Sequence, residues 1–186
     1  MRGGNYVQLA TVATDGAPRV RTVVQRGIVM LKGARPAFRF ITDLRSQKVA
    51  QIEGDSRGEM CWWFAKSSEQ YRVSGELVLV GDATADEALR SLRLEQWKNL
   101  RDTAREQFYW AQPGVPLDEA GDDASSGAAA LPASGGATDG IPPPPPEFLL
   151  VLLLPHSVDY LRLTDNARCV FEQGSDGNWS AVDVNP

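Results

Sequence analysis

Apolar and polar positions alternate along much of the chain, the pattern that half-buried β-strands leave in a sequence. It predicts strands over residues 6–14, 20–26, 38–42, 59–64, 70–80, 148–154, 158–163, 168–173 and 179–184. The pair Asp15-Gly16 predicts a hairpin turn between the first two strands. Helical spacing predicts helices over residues 46–53, 85–100 and 102–110. The sequence therefore predicts a mainly β protein, an antiparallel barrel or sandwich with short helices packed outside it.

Residues 118–146 interrupt this pattern. The segment is rich in Ala, Gly, Ser and Asp and ends in five consecutive prolines at 142–146. Such a composition cannot bury enough apolar surface to offset the entropy of ordering it. We expect a disordered insertion over 118–146 in one domain made of residues 1–117 and 147–186. A tolerated insertion is the preferred interpretation, and a proline-rich ligand for an SH3-like partner is the alternative.

The net charge of −5 comes from the same segment. It holds five acidic residues and no Lys or Arg, which leaves 19 basic residues against 24 minus 5, or 19, acidic ones elsewhere. Charge thus gives no indication of a nucleic-acid partner. No apolar run approaches the roughly 18 residues of a membrane helix, so we expect no membrane partner.

The cysteines and the histidine bear on compartment and metal binding. Cys61 and Cys169 form no CxxC pair, and no secretory signal is visible. We therefore expect an intracellular protein, either cytoplasmic or, if an N-terminal transit segment is missing, from an organelle such as a plastid. His156 is the single histidine, which argues against a multi-histidine metal site.

Candidate anion-binding groups gather where the strand over 38–42 meets the helix over 46–53. Thr42 and Ser46 carry hydroxyls there, and Arg45 and Lys48 carry positive charge. A helix N-terminus offers unpaired N–H groups and the positive end of its dipole, so it suits a phosphate. An ordinary capped helix with solvated charges is the alternative.

The second predicted strand is dense in arginine, with Arg19, Arg21 and Arg26 over eight residues. An arginine fork suits the oxygens of a phosphate, and this strand precedes the candidate anion site in the chain. Two basic elements close in sequence favour a shared anion.

Four motifs together resemble a known family. They are "RTVVQRG" at 21–27, "FITDLRSQK" at 40–48, "CWWFAKSSEQYRVSGEL" at 61–77, and "W-x-x-L-x-D-x-x-R-x-Q-F-x-W" at 97–110. The combination resembles the FMN-binding split barrel of the pyridoxamine 5′-phosphate oxidase family, and most of all the oxidase-like subfamily of cyanobacteria, plants and algae. The resemblance implies a six-stranded antiparallel Greek-key split barrel with short flanking helices. It also implies a homodimer with FMN at the subunit interface.

The resemblance assigns the FMN phosphate to Arg21 and Lys48, with Thr42 and Ser46 as hydroxyl partners. The backbone of residues 21–24 would run along the flavin ring. The full set of cofactor-binding residues that it implies is Arg21, Thr22, Val23, Val24, Ile41, Thr42, Ser46, Gln47, Lys48, Gln70 and Arg168.

Three of these positions have particular features. Ile41 stands where the family often has tyrosine, and Gln70 matches a glutamine that contacts the flavin, from the second subunit. Arg168 matches a late arginine near the ring, with Tyr160 or Leu161 at a position often held by tryptophan.

The substrate positions match less fully. By resemblance, the substrate-site candidates are Arg26, Trp97, Arg101 and Arg105. A helix cap with an exposed arginine is the alternative for residues 102–105. The Arg-x-His pair that works on the substrate in the oxidase is replaced by residues 164–166, Thr-Asp-Asn. No catalytic side chain is assigned.

Other notable residues have ordinary interpretations. Trp62, Trp63 and Phe64 are expected in the core or on the barrel surface, with a flavin or dimer contact as the alternative. His156 is expected in solvent at a turn, with haem ligation as the alternative. Cys61 is expected to act as a small hydrophobic residue.

Two functional hypotheses follow. The first is an FMN-dependent oxidoreductase acting on a small anionic substrate, with pyridoxamine or pyridoxine 5′-phosphate as the leading candidate. The second is a non-catalytic protein that stores, senses or presents FMN.

Overall fold

The computed structural model describes residues 4–116 and 140–186. In these residues the strands are β1 Tyr6–Val12, β2 Pro18–Val24, β3 Ile28–Leu31, β4 Arg35–Asp43, β5 Arg57–Phe64, β6 Glu69–Val80, β7 Phe148–Arg162, β8 Ala167–Gln173 and β9 Trp179–Asp183. The helices are α1 Gln47–Gly54, α2 Glu87–Lys98 and α3 Asp102–Arg105, and a 3₁₀ turn, Glu106–Tyr109, follows α3. The predicted class, mainly β and antiparallel with few helices, is confirmed.

All nine strands belong to one sheet, in the order β2-β1-β5-β6-β7-β4-β3. The path is open, because β2 and β3 lie at its two ends, and β8 and β9 form a hairpin attached to β7. The resemblance implied six strands. The short β3 and the hairpin of β8 and β9, which lies off the main path, account for the other three.

The first hairpin forms as the sequence predicts. Tyr6 pairs with Val24 and Val12 with Pro18, so β1 and β2 are in register over their whole length. Gly16 in the turn has φ of 80°, a left-handed conformation that glycine adopts without steric cost. β1 then pairs with β5 on its other edge, which places β1 inside the sheet.

Two predicted strands near the C-terminus are a single strand. Residues 148–154 and 158–163 were expected as separate elements, and they form the continuous 15-residue β7. Pro155 suggests a break because proline has no N–H for a ladder. The ladder to β8 starts beyond it, at Ser157, so this proline does not interrupt that pairing.

The chain divides into two compact units. The first consists of Met1–Phe40, Ala50–Val78 and Val151–Pro186, and the second of Ile41–Val49 and Leu79–Leu150. Core residues of the first unit include Val7, Leu9, Met60 and Val73, each at most 2% exposed. The expectation of a single domain stays a prediction.

In the second unit, an aromatic cluster of Trp97, Phe108 and Phe148 forms the core with Leu100. Their rings lie 4.9–5.8 Å apart between centroids, in tilted and edge-to-face pairs. Such pairs stabilise a core beyond the area that they bury. The cluster joins α2, the 3₁₀ turn and the start of β7.

The proline tract packs against this cluster. Pro142 accepts a hydrogen bond from the Trp97 indole at 2.7 Å, and Pro145 accepts from Arg93 at 3.1 Å. Both prolines are buried. Residues 140–146 are thus part of the fold, and the predicted disorder does not extend to them. Side chains of α2 donate hydrogen bonds to the proline carbonyls and so hold the segment in place. The rest of the expected insertion, 118–139, lies outside the described residues.

Within residues 4–116 and 140–186, no helix is long and apolar enough to cross a membrane.

Candidate functional site

Three polar groups converge where β4 ends and α1 begins. The Lys48 ammonium donates to the Thr42 hydroxyl at 2.9 Å and to the Ser46 hydroxyl at 3.0 Å. The two hydroxyl oxygens lie 3.0 Å apart. Thr42 is 5% exposed, so the cluster sits at the edge of the core. The sequence prediction that these residues come together is supported by this geometry.

The turn between β4 and α1 is held by Asp43 and Arg45. The Asp43 carboxylate accepts from the Arg45 backbone N–H at 2.7 Å and from its guanidinium at 2.6 and 2.9 Å. The hydrogen bond to Asp43 raises the pKa of Arg45. Arg45 also donates to the Trp110 carbonyl at 3.1 Å. Arg45 therefore stabilises the turn, and Lys48 is the cation of the candidate anion-binding cluster.

Arg21, in the first unit, is oriented by neutral acceptors. It donates to the Leu9 carbonyl at 3.1 Å, the Thr11 hydroxyl at 2.8 Å and the Gln51 amide oxygen at 2.9 Å. Thr11 also donates to Gln51 at 2.6 Å. Burial lowers the pKa of the Arg21 guanidinium from its ordinary value. Because none of these acceptors is charged, the Arg21 charge is not neutralised by them, and it can attract an anion.

Thr11 and Gln51 were not predicted as site residues from the sequence. The available signal was helical spacing, because Gln51 follows Lys48 by three residues on α1 and so shares its face. Both residues are buried, Thr11 at 2% and Gln51 at 9% exposed. Their burial restricts their motion, so they hold the Arg21 guanidinium in one orientation.

Five further positions expected to bind FMN lie on β2, β4 and α1. Thr22 is exposed, and Val23 and Val24 are half-buried, on β2. Gln47 is the exposed first residue of α1, and Ile41 packs against the aromatic cluster of the second unit. All five residues lie in elements that were predicted. Their contact with a flavin stays a prediction.

Gln70 lies on β6, directly across from Trp63 of β5. Its side chain accepts a weak hydrogen bond from the Cys61 thiol, at 3.7 Å. Burial raises the pKa of that thiol, which suits a small hydrophobic residue more than a reactive one.

Arg168 on β8 is fixed by Asp159 of β7. The guanidinium donates to both carboxylate oxygens, at 3.1 and 2.8 Å, and Arg72 of β6 donates to the same carboxylate. The hydrogen bond from Arg168 lowers the pKa of Asp159, and Arg72 lowers it further. Asp159 is therefore a carboxylate held between two arginines.

The strand register bears on the choice between Tyr160 and Leu161. Leu161 pairs directly with Arg168, so both side chains lie on one face of the hairpin. Tyr160 lies on the opposite face, where its hydroxyl donates to Glu69 at 2.7 Å. Of the two, Leu161 therefore occupies the position beside Arg168.

Two of the four substrate candidates have structural roles. Trp97 is 1% exposed within the aromatic cluster. Arg105 is 5% exposed, and it donates to the carbonyls of Trp97 at 3.2 Å and Lys98 at 3.0 Å, as well as to the Asp102 carboxylate. Arg105 thus caps the last carbonyls of α2. The observed contacts fit the helix-cap alternative, except that the arginine was expected to be exposed and is buried. Neither Trp97 nor Arg105 is included in the proposed substrate site.

The other two candidates are less buried. Arg101 is an exposed residue at the N-terminus of α3. Arg26 is half-buried, and its Nε has no hydrogen-bond partner in the described part of the chain. Burial lowers the pKa of Arg26. A buried donor without an acceptor is costly, so Arg26 is suited to receive an anionic group.

A metal site has no support in the described ranges. No group of three or more His, Cys, Asp or Glu side chains there could hold a metal ion. His156 is exposed, next to the buried Pro155.

The donor set fits the phosphate of FMN. A phosphate monoester is close to a dianion at neutral pH and requires several donors. The Lys48 cluster offers one ammonium and two hydroxyls within 3.0 Å of it, next to a helix N-terminus. Arg21 offers a fork whose acceptors are neutral. No glycine-rich dinucleotide motif is present, which favours a mononucleotide over a dinucleotide.

Comparisons with known proteins point to the same cofactor. The family model described as "Pyridoxamine 5′-phosphate oxidase, FMN-binding domain" matches residues 2–81. A pyridoxine/pyridoxamine 5′-phosphate oxidase 2 from Arabidopsis thaliana is 33% identical over 186 residues, which cover 98% of this chain and 87% of that protein. A pyridoxine/pyridoxamine 5′-phosphate oxidase from Rhodospirillum rubrum is 30% identical over 101 residues, 52% of this chain and 50% of that protein.

A solved structure is similar over nearly the whole chain. The crystal structure of a pyridoxamine 5′-phosphate oxidase-related, FMN binding protein from Nostoc punctiforme is 34% identical, with a TM-score of 0.81, and the match covers 98% of this chain and 88% of that one. Together with the relative from A. thaliana, this match covers both compact units. The chain belongs to the pyridoxamine 5′-phosphate oxidase family, and its cofactor is FMN.

Proposed function

We propose that this protein is an FMN-dependent oxidoreductase acting on a small anionic substrate, with pyridoxamine or pyridoxine 5′-phosphate as the leading candidate. The observation that carries the proposal is the cluster of Lys48, Thr42 and Ser46, with Arg21 held by neutral acceptors. The names of the relatives support the same reaction class.

In this proposal Lys48, Thr42 and Ser46 bind the FMN phosphate, and Arg21 is a second cation assigned to FMN. Lys48 supplies a mobile ammonium, and the hydroxyls of Thr42 and Ser46 turn their donors toward the phosphate oxygens. Arg21 supplies two parallel N–H donors in a fixed orientation, because Gln51 and Thr11 hold the guanidinium. Charge-assisted hydrogen bonds of this kind are about twice as strong as neutral ones.

We assign the flavin ring to the backbone of residues 21–24 and to Gln70 and Arg168, with Gln70 from a second subunit. The partner in this arrangement is therefore a second copy of the chain, with FMN at the interface. Asp159 keeps the Arg168 fork in one orientation. When bound, FMN would supply the redox chemistry, as hydride acceptor for the substrate with oxygen as the reoxidant. The protein would bind and orient both molecules.

We assign the anionic group of the substrate to Arg26, whose buried Nε has no partner in the described residues, with the exposed Arg101 as a second cation. No side-chain base is assigned, and the substrate amine or alcohol is expected to lose its proton to solvent.

The alternative is a non-catalytic protein that stores, senses or presents FMN. Two observations favour it. Trp97 and Arg105, two of the four substrate candidates, are buried and bonded within the fold. Residues 164–166, Thr-Asp-Asn, stand where the oxidase has its Arg-x-His pair. The phosphate cluster is common to both hypotheses.

Reduction of the bound flavin separates the two hypotheses. The purified protein is expected to be yellow, and heat is expected to release FMN and no FAD. Under anaerobic conditions, pyridoxamine or pyridoxine 5′-phosphate should bleach the visible flavin band, and oxygen should restore it. Unphosphorylated pyridoxamine is the control and should bleach far more slowly. A yellow protein that none of these compounds bleaches favours the non-catalytic alternative. A colourless protein that does not take up added FMN contradicts both.

A further inference from the structure

An apolar cleft of about 320 Å³ lies in the first unit. Aromatic and aliphatic side chains make most of its lining, and one carboxylate reaches it. The residues that matter here are Trp62, Phe64, Glu69, Tyr71, Val73 and Val158.

Strand register explains why these side chains meet. Trp62 pairs with Tyr71 and Phe64 with Glu69, so all four point to the same face of β5 and β6. The next pair on that face is Met60 with Val73, both buried in the core. The cleft is thus the continuation of the core face beyond the packed core. Gln70 lies on the opposite face, because neighbouring residues of a strand alternate.

The aromatic walls are in contact with one another. The rings of Trp62 and Phe64 are 4.9 Å apart between centroids, and those of Phe64 and Tyr71 are 5.6 Å apart and nearly perpendicular. The ring of Tyr160 lies 4.9 Å beyond Tyr71. The Trp62 indole N–H donates to the Gly4 carbonyl at 2.8 Å, which fixes the orientation of that wall.

Glu69 supplies a fixed negative charge beside these rings. Its carboxylate accepts from the Ser67 hydroxyl at 2.6 Å and from the Tyr160 hydroxyl at 2.7 Å. These bonds, that of Ser67 first, lower the pKa of Glu69, so the carboxylate is ionised at neutral pH. The positive charge of Arg162 also lowers the pKa of Glu69. The Arg162 guanidinium is itself paired with Asp165 through two hydrogen bonds, so it does not neutralise Glu69.

We propose that this cleft binds a small organic cation, an ammonium group carried on an apolar or aromatic body. The faces of aromatic rings attract cations, and desolvation strengthens the attraction. The carboxylate of Glu69 adds an ionic acceptor at the same place, whereas an anion would be repelled there. An aromatic or aliphatic body fits the apolar lining, whose size is that of a small-molecule site. The proposal does not depend on the function proposed above.

The test uses three phenyl compounds of similar shape and different charge: 2-phenylethylamine, 2-phenylethanol and 3-phenylpropanoate. Isothermal titration of the purified full chain is expected to show one saturable site for the amine. The alcohol should bind about tenfold more weakly, because it keeps the ring and loses the charge, and the carboxylate should not bind measurably. Equal affinity for amine and alcohol would overturn the proposal.

Two matched variants locate the site. Glu69→Gln keeps the shape of the side chain and removes its charge. It should lower the affinity for the amine about tenfold and change the affinity for the alcohol by less than about twofold. Glu59→Gln is the control, because Glu59 is also a strand glutamate bonded to a serine, Ser74 at 2.7 Å, but on the other face. It should change neither affinity. A loss for the amine in Glu59→Gln equal to that in Glu69→Gln would contradict the assignment.

A second copy of the chain is the competing occupant. If none of the three compounds binds, and Phe64→Ser converts a dimer to a monomer in sedimentation velocity, the cleft is a subunit contact and the proposal is wrong. Should Glu69→Gln not fold, the comparison of amine with alcohol in the parent protein still decides the question. Flavin content is read separately from visible absorbance, so failure of the flavin assignments would not imitate any of these results.

Discussion

Lys48 and its two hydroxyl partners carry the phosphate assignment at the scale of single residues. Lys48→Ala removes one charge-assisted hydrogen bond, worth about 1.5–3 kcal/mol, and should weaken FMN binding about ten- to a hundredfold. Riboflavin, which has no phosphate, should bind weakly to the parent and be nearly indifferent to the change. A flavin-fluorescence titration of the apoprotein with both ligands measures this.

The matched control for that variant is Lys32→Ala, which removes an exposed lysine in the turn before β4. It should leave both affinities unchanged. If the Lys48 variant lost affinity for FMN and riboflavin equally, the site would be damaged in general and the phosphate assignment would be wrong.

Gln51 should act on FMN only through Arg21. Gln51→Leu removes one acceptor from the guanidinium and leaves those of Leu9 and Thr11. We expect a loss of FMN affinity of about three- to tenfold, because Gln51 orients the guanidinium without touching FMN, and a larger loss for Arg21→Ala. In the Arg21→Ala background, Gln51→Leu should have no further effect. An additive loss in the double variant would show that Gln51 acts independently.

These residues also show what could be foreseen. Thr42, Ser46 and Lys48 lie within seven positions of one another, so local chain geometry was enough to bring them together. Arg21 and Gln51 are thirty positions apart, and their contact depends on where β2 and α1 settle in the fold. Trp97 and Arg105 were assigned by a motif match, which identifies a residue type and not its burial, and their contact with a substrate stays a prediction.

At the scale of elements, Arg93 ties α2 to the segment before β7. It is 2% exposed and donates to the Phe148 carbonyl at 2.9 Å and the Pro145 carbonyl at 3.1 Å. Arg93→Met keeps much of the side-chain volume and leaves both carbonyls without this donor. We expect the free energy of unfolding in urea to fall by about 2–4 kcal/mol.

Arg90→Met on the same helix is the control. Its side chain is 38% exposed and pairs with the exposed Glu87, so the loss should be below about 1 kcal/mol. A loss as large as that of Arg93→Met would mean that helix propensity or volume, rather than the buried hydrogen bonds, determines the effect.

The hairpin of β7 and β8 should lose stability in acid through Asp159. Arginine contacts hold the pKa of Asp159 below its ordinary value of 3.8, so its contribution is complete above that value and disappears as pH falls through the lower folded pKa. Arg72 is 41% exposed, and solvent screening limits the contribution to about 1 kcal/mol. Asp159→Asn should therefore be less stable than the parent at pH 7 and nearly equal to it at pH 2.

Urea unfolding of parent and variant at pH 7, 5, 4, 3 and 2 measures that convergence. A stability difference that stays constant across the series would show that the carboxylate charge contributes nothing.

Element boundaries were predicted where the alternating pattern is long, as in β1, β5 and β6. The four-residue β3, Ile28–Leu31, was missed because so short a run carries too little periodicity. β7 was divided at Pro155, since sequence alone does not show on which side a strand has partners. Tertiary pairing decides both cases.

At the scale of the whole molecule, the two parts of the expected insertion should behave differently. Replacing 118–139 by a short Gly/Ser bridge should leave stability nearly unchanged, since loop length costs only about 0.6 kcal/mol per doubling. Replacing 140–146 as well, with seven Gly/Ser residues, keeps the backbone carbonyls that bond Trp97 and Arg93 but removes the buried rings of Pro142 and Pro145 and frees the unfolded chain, so it should cost about 0.4–1 kcal/mol for each proline replaced. Thermal unfolding of the two variants against the parent measures the difference, and equal melting temperatures for both variants would contradict it.

The docked proline tract has a consequence for measuring its motion. Proline has no amide hydrogen, so residues 142–146 are silent in backbone hydrogen exchange, the usual measure of local opening. The indole hydrogen of Trp97 is held by the Pro142 carbonyl at 2.7 Å, and the Phe148 amide by the Pro145 carbonyl at 3.0 Å. Both hydrogens can exchange with solvent when the tract opens. The exchange rate of the Trp97 indole hydrogen therefore measures how often the proline tract opens, which the prolines' own backbone cannot show.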